Sequence, residues 1–411
     1  MWKYELKSIL YNKKIWLYTI IAIAVNILLL INNVTLRCEL FNQENYDLYN
    51  EYVSDYGGYI TDDKISAIDL KINEFSSIIN HKDEMQKEYD NGKVTFATYY
   101  ESIIKANSCT KDLRVLNYIK EQINYVTHNE GLTTVIYPNS WVHLLAGMRT
   151  RYSLIILIIF ISIPIMTRDF ESNMDIVTST CKNGKMRLYI NKVCALSIFA
   201  FLECVLFGIT EYMYYFIKMG LQDYLVDIRS IETFKNVLFD VPLIGAYIMQ
   251  VAQWFVGMVL LILITMLVAL ILKKSFFTYI FMIIYSILPS LIFNKSSLLK
   301  MVCPVAFVTD GGYLFGIDEY DAELLIYKME ELVMIIILTA MIVTFCLLIS
   351  KIIIERKKNK NVLKFVSMIT ILLGFGVLSG CGMNYKLDDT IYVKNTFLGY
   401  EDMICDKYII Q

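Results

Sequence analysis

Residues 244–272 read IGAYIMQVAQWFVGMVLLILITMLVALIL, 29 positions without a charge. A bilayer core about 30 Å thick is crossed by roughly 20 helical residues, so this run is long enough to span it. It has no period-two alternation, which leaves a helix rather than a barrel strand as the way to satisfy its backbone in lipid.

Further apolar runs lie on both sides of it, at 15–31, 152–166, 193–217, 276–293, 332–354 and 362–378. The runs at 152–166 and 362–378 are short and draw on flanking residues. The expectation is an all-α polytopic membrane protein of six to seven transmembrane helices. Composition agrees: of 411 residues 56% are hydrophobic, 19% charged and 14% aromatic, with a mean hydropathy of +0.49. Soluble domains carry about 45–50% apolar and about 25% charged residues. A freely soluble enzyme, a disordered chain and a disulfide-stapled miniature are excluded. The net charge of −2 supplies no field to attract phosphates, so nucleic acid is not an expected partner; membrane lipid is.

Basic residues set the orientation. Lys3, Lys7, Lys13 and Lys14 precede the first run, and Arg168, Lys182, Lys185, Arg187 and Lys192 follow the second. Lys273 and Lys274 separate the fourth and fifth runs; Lys351, Arg356, Lys357, Lys358, Lys360 and Lys364 separate the sixth and seventh. With alternating spans these segments share one side, which the positive-inside rule makes the cytoplasm. The N-terminus is then inside, and the C-terminal tail is outside if the seventh span inserts. Residues 1–14 form an amphipathic stretch, with Trp2, Leu6, Ile9 and Leu10 on one side, leading into a retained first span.

Residues 32–150 are the largest polar part and read as an extracytoplasmic helical domain. Ile65, Ile68, Ile72, Phe75 and Ile79 recur at helical spacing, as do Leu113, Leu116, Ile119 and Ile123. Asn91-Gly92 marks the turn of a hairpin between them. His81, His128 and His143 lack helix-face ligand spacing, so no metal site is expected. The nine cysteines form no CxxC pair; Cys38 and Cys109 share this domain and could bridge, with free thiols the preferred reading.

No phosphate-loop, HExxH or GxSxG motif occurs, so no catalytic residues are assigned. The informative polar segment is 167–187, TRDFESNMDIVTSTCKNGKMR. Its acids come first and its bases last, which suits a short helix with Gly184 beyond its C-terminus. This segment resembles the signature of permease subunits of type-2 ABC exporters, carried here by Asp169-Phe170-Glu171, Thr178-Ser179-Thr180, Gly184-Lys185 and Lys192. The lead-in Glu5-Leu6-Lys7 with Lys13-Lys14, and Ser140-Trp141 before the second span, stand where that family has comparable features. The likeness covers residues 1–356 and rests on the order of parts. Lys185, where the family often has Arg, and the seventh span depart from it.

The resemblance implies a bacterial plasma-membrane permease without a cofactor of its own. A separate cytoplasmic ATP-binding subunit would bind ATP and Mg, and the permease would act as a homodimer or heterodimer. A coupling segment at 167–192 would meet the ATPase through Arg168, Asp169, Phe170, Glu171, Asp175, Thr178, Lys182, Gly184, Lys185 and Arg187. The implied organisation is a lead-in helix and first span (1–31), the outer domain (32–150) and a five-span bundle (151–356). A seventh span or lipoprotein-like signal (357–381) and a tail (382–411) follow.

Within the spans, Glu203, Gln250, Gln253 and Asn26 are candidates to line a path, or else to hold helices together by hydrogen bonds. Glu211 lies nearer the outer end of the third span. Pro164 and Pro289 mark kinks or ends. Residues 294–331, with Pro304 and Gly311-Gly312, support an irregular, partly apolar outer loop. Leu378-Ser379-Gly380-Cys381 after a basic start and an apolar middle has the layout of a bacterial lipoprotein signal, making Cys381 a lipidation candidate. The competing classes are a membrane receptor or scaffold and an intramembrane enzyme using Glu203.

Overall fold

The structure, a computed structural model, describes residues 2–36, 43–129, 132–136, 138–145, 151–174, 184–221, 223–235, 237, 240–292 and 304–309, with scattered positions between 339 and 350. Most of the sixth run, all of the seventh, Cys38 and Cys381 lie outside the described residues.

The described chain is mostly helical. It opens with α1 (Trp2–Leu10) and α2 (Lys13–Leu36). Asn12 divides them, its side-chain oxygen accepting the Lys14 backbone N–H at 3.0 Å as a helix cap. Ile9 is buried and Leu6 and Leu10 pack with it, so the apolar side of α1 faces the protein core.

A polar unit follows, built from α3 (Gln43–Tyr56), α4 (Asp62–Asp90) and α5 (Phe96–His128). Thr61 and Thr95 cap α4 and α5 by accepting the backbone N–H groups of Lys64 and Thr98, and Asp62 and Asp63 meet the positive end of α4. The turn falls at Asn91-Gly92, where Gly92 takes φ 70°, a left-handed conformation glycine adopts without strain. Ile68, Val115, Leu116, Ile119, Ile123 and Val126 form this unit's own core with Tyr49 and Tyr52 of α3. The Tyr52 hydroxyl donates to Asp112 at 2.9 Å; burial first, and then this carboxylate, push its pKa up. A two-residue pairing of β1 (Gly58–Tyr59) with β2 (Thr134–Val135), antiparallel, closes the base.

The second core lies in a helical bundle of α6 (Pro138–Leu145), α7 (Tyr152–Glu171), α8 (Gly184–Met219), α9 (Leu243–Leu272), α10 (Ser275–Ile292) and α11 (Pro304–Thr309), with α1 and α2 against it. Among the described residues, four helices are long and apolar enough to cross a membrane: Lys13–Ile31, Tyr152–Glu171, Met186–Lys218 and Leu243–Leu272. Their polarity is inverted relative to a soluble protein. Ile20, Leu28, Ile209 and Ile217 are more than half exposed, while Thr19, Asn26, Glu203, Glu211 and Gln250 are buried. Such an arrangement suits a hydrocarbon surround.

Contacts fix the helix directions. Thr19 meets Glu203 and Asn26 meets Glu211, so α2 and α8 run the same way. Asp169 meets Lys192 and Arg151 meets Glu211, so α7 runs against α8. Tyr247 meets Gly208 and Phe201 meets Phe255, so α9 also runs against α8. Ser275 at the start of α10 lies against Glu171 at the end of α7. The helices alternate, and Lys13, Lys14, Arg168, Arg187, Lys273 and Lys274 all belong to one end.

Four readings of the sequence change. Ile136, Trp141, Leu144 and Leu145, read from the sequence as part of the polar domain, are buried in the bundle core. The third run grows from 193–217 to Gly184–Met219, since Lys185, Arg187 and Lys192 interrupt hydropathy without opposing helix formation. The acids and bases of 167–187 do not share one short helix: Asp169 and Glu171 end α7, and Gly184, Lys185 and Arg187 begin α8. Finally, part of the expected outer loop is the buried six-residue helix α11. It comes so close to α9 that a Cβ on Gly257 would lie 2.7 Å from Phe307 Cβ and 2.8 Å from the Pro304 carbonyl oxygen.

Candidate functional site: buried polar contacts inside the bundle

Two buried ion pairs join α7 to α8 at opposite ends. At the basic end, Lys192 Nζ lies 2.5 Å from Asp169 Oδ2 and donates to the Ile165 carbonyl at 2.8 Å. The lysine side chain is fully buried. At the other end, Arg151 Nε lies 3.1 Å from Glu211 Oε2. The Arg151 guanidinium also covers the Trp254 ring at 4.0 Å. Eighteen residues of α7 separate Asp169 from Arg151, about 27 Å of helix. That is slightly less than the thickness of a bilayer core.

Around the basic-end pair, three further contacts tie the rim together. Arg168 Nη2 reaches Glu5 of α1 at 3.7 Å, Phe170 stacks on Tyr189 at 6.0 Å, and Glu171 accepts the Ser275 backbone N–H at 2.8 Å. The last places a carboxylate at the N-terminus of α10, where unpaired N–H groups favour it. Of the ten coupling candidates, Arg168, Asp169, Phe170 and Glu171 thus form part of one connected rim. Arg187 is exposed in the first turn of α8. Gly184 and Lys185 start that helix, and Asp175, Thr178 and Lys182 lie outside the described residues.

The four path candidates do not converge on a single point. Asn26 donates to Glu211 at 3.4 Å, and Glu203 accepts from the Thr19 hydroxyl at 2.8 Å. Gln250 donates to the Leu145 carbonyl at 2.7 Å, and Gln253 to the Phe307 carbonyl at 3.1 Å. The two glutamines therefore anchor α6 and α11 to α9.

Arg151, Thr19 and the pairing of Glu211 were not legible in the sequence. The available signal was two arginines, Arg149 and Arg151, at the start of the second span, level with an acid near the outer end of the third.

The polar unit is tied to the bundle through the loop before α9. Tyr125 of α5 donates its hydroxyl to the Arg229 carbonyl at 2.9 Å. Arg229 donates to both oxygens of Asp227 at 3.1 Å and reaches Asp240 at 2.7 Å. The hydrogen bonds to Asp227 hold its pKa above the usual arginine value.

Among the described residues, no group of three or more His, Cys, Asp and Glu side chains is placed to hold a metal. Cys109 is a buried free thiol. Comparison with known protein families, curated proteins and solved structures found no match to this chain. What the fold and contacts define is a class: a multi-helical protein with an inside-out helical bundle suited to a membrane.

Proposed function

We propose that the chain is the membrane-spanning permease subunit of an ATP-driven exporter of the type-2 ABC kind, seated in a bacterial plasma membrane. In this reading the basic end faces the cytoplasm and the α3–α5 unit stands outside. Two permease chains pair, and a separate ATP-binding subunit docks on the residues between α7 and α8. Substrate moves outward between the helices.

The observation that carries the reading is the connected rim on either side of that segment. Asp169 and Lys192 lock α7 to α8, Glu171 holds the start of α10, and Arg168 reaches α1. Force applied between residues 171 and 184 is passed directly to α7 and α8, and through their partners to α1 and α10. An ion pair and a carboxylate cap are stiff enough for this because both are held at short range with little freedom to slip. The alternation of helices, with lysines and arginines gathered at one end, supports the orientation.

The test is purification of the tagged full chain from its native membrane, with its neighbours retained. An ATP-binding subunit is expected to co-purify, and its hydrolysis to rise when the permease is present. Asp169→Asn is expected to lower that stimulation without abolishing co-purification. Hydrolysis unaffected by the permease, or no ATP-binding partner at all, would overturn the reading in favour of a receptor or scaffold.

A further inference from the structure

Helix α8 carries two buried acids, Glu203 at 2% and Glu211 at 1% exposure, and their surroundings differ. Both oxygens of Glu211 accept hydrogen bonds, Oε2 from Arg151 Nε at 3.1 Å and Oε1 from Asn26 Nδ2 at 3.4 Å. Among the described residues Glu203 has only the Thr19 hydroxyl, 2.8 Å from Oε1. Its Oε2 is buried and, among the described residues, meets no hydrogen-bond partner.

Among the described residues, no charged group of a neighbouring helix forms an ion pair with Glu203; on α6, which meets α8 where Trp141 packs on Tyr212, the titratable side chain is His143. On α7, Arg151 faces Glu211, and Arg168 and Asp169 belong to the opposite rim. On α8 itself, Lys192 is held by Asp169, and the nearest titratable neighbour is the buried thiol of Cys204. From α1, Glu5 pairs with Arg168. The facing residue of α2 is Thr19, whereas Lys13 and Lys14 lie at its start. Along α9 the sole titratable side chain is Tyr247, whose hydroxyl donates to the Gly208 carbonyl. Among the described residues no cation balances Glu203.

A single hydroxyl does not compensate a carboxylate removed from water, whereas a neutral acid with one bonded oxygen is tolerated. We propose that Glu203 is a proton-binding site inside the bundle: Oε1 accepts from Thr19, Oε2 carries the proton, and Glu211 is the ionised partner of Arg151. The site binds and releases a proton without any covalent step. Because Thr19 belongs to α2, release is linked to the spacing of α2 and α8: parting them admits water to solvate the carboxylate. None of these contacts depends on the proposed ATP-binding partner.

Infrared difference spectroscopy on the full chain in lipid vesicles tests it. At neutral pH the protein is expected to show the carbonyl stretch of a protonated carboxyl, absent from Glu203→Gln and retained in Glu211→Gln. In Thr19→Val the band is expected to persist and move to higher frequency, because its carbonyl oxygen loses a hydrogen bond. Absence of the band from the unaltered protein, or its survival in Glu203→Gln, would overturn the proposal. Should Glu203→Gln fail to assemble, an unmoved band in Thr19→Val would overturn it equally.

Discussion

Lys192 is fully buried, and its only charged contact within hydrogen-bond distance among the described residues is Asp169. A buried pair of this kind contributes little net stability when whole, because desolvation of both ions offsets their attraction. Broken, it leaves one ion stranded. Asp169→Asn is therefore expected to cost about 3–5 kcal/mol, and Lys192→Met a similar amount. The double variant Asp169→Leu with Lys192→Met is expected to recover most of the loss. Denaturant unfolding of the purified protein in detergent checks this, and additive single effects would sink it. The sequence exposed the members but not the pair, since an acid at the end of an apolar run stands out by its type. Its partner, 23 residues further on, stood out as a lysine before the next span, but nothing in the sequence paired it with Asp169. Arg151 was hidden for a related reason: bases at a span boundary are common, Arg149 stands beside it, and only the packing of α7 on α8 brings Glu211 to Arg151.

At the scale of elements, α7 shows how a helix tolerates proline. Pro164 lies inside it, has no N–H to give, and leaves the carbonyl four residues earlier, on Phe160, without its normal donor. The Tyr279 hydroxyl of α10 lies 3.1 Å from that carbonyl oxygen and donates to it. A neighbouring helix thus supplies the hydrogen bond that an apolar surround would otherwise leave unmade. Tyr279→Phe removes the donor and is expected to cost about 1–3 kcal/mol. In a Pro164→Ala background the same change is expected to cost much less, because an alanine there has the N–H needed to restore the backbone bond. Thermal unfolding of the four proteins of this cycle in detergent provides the check, and equal costs in both backgrounds would refute the repair. The sequence identified Pro164 as a break in a span but offered no sign of a remedy on a helix far along the chain. It was more informative about the hairpin of α4 and α5. Apolar residues at three- and four-residue spacing and an Asn-Gly turn are local signals, and the structure places both where the pattern put them. The position of α11 against Gly257 had no such signal, because close approach depends on the absence of a side chain on a distant helix.

For the whole molecule, helix direction and charge distribution meet in one testable arrangement. Helices α2, α8 and α10 start at the end where α7 and α9 finish, and the basic residues of the described chain outside the α3–α5 unit gather there, apart from Arg151, Lys218, Arg229 and Lys235. Lys218 lies in the last turn of α8, and Arg229 and Lys235 lie in the following loop, on the side of the α3–α5 unit. That unit carries lysines of its own, but they are mixed with acids such as Asp62, Asp63, Glu84 and Asp90. Orientation is biased by short basic segments close to the spans, while larger domains cross largely irrespective of their charge. Single cysteines introduced at Gly92, in the hairpin turn, and at Asp223, after α8, should therefore react with a membrane-impermeant thiol reagent added to intact cells or spheroplasts. A cysteine at Lys274, between α9 and α10, should react only after the membrane is opened. These experiments need a background in which the native cysteines have been replaced, because Cys194 is already an exposed thiol on α8. Labelling of all three positions from one side would contradict the alternating arrangement. Labelling of Lys274→Cys alone in intact cells would keep the alternation and reverse the protein, placing the α3–α5 unit with the cytoplasm. The remaining pattern, Gly92→Cys and Asp223→Cys outside with Lys274→Cys inside, requires the rim of Asp169, Lys192 and Glu171 to face the cytoplasm, where an ATP-binding partner could reach it.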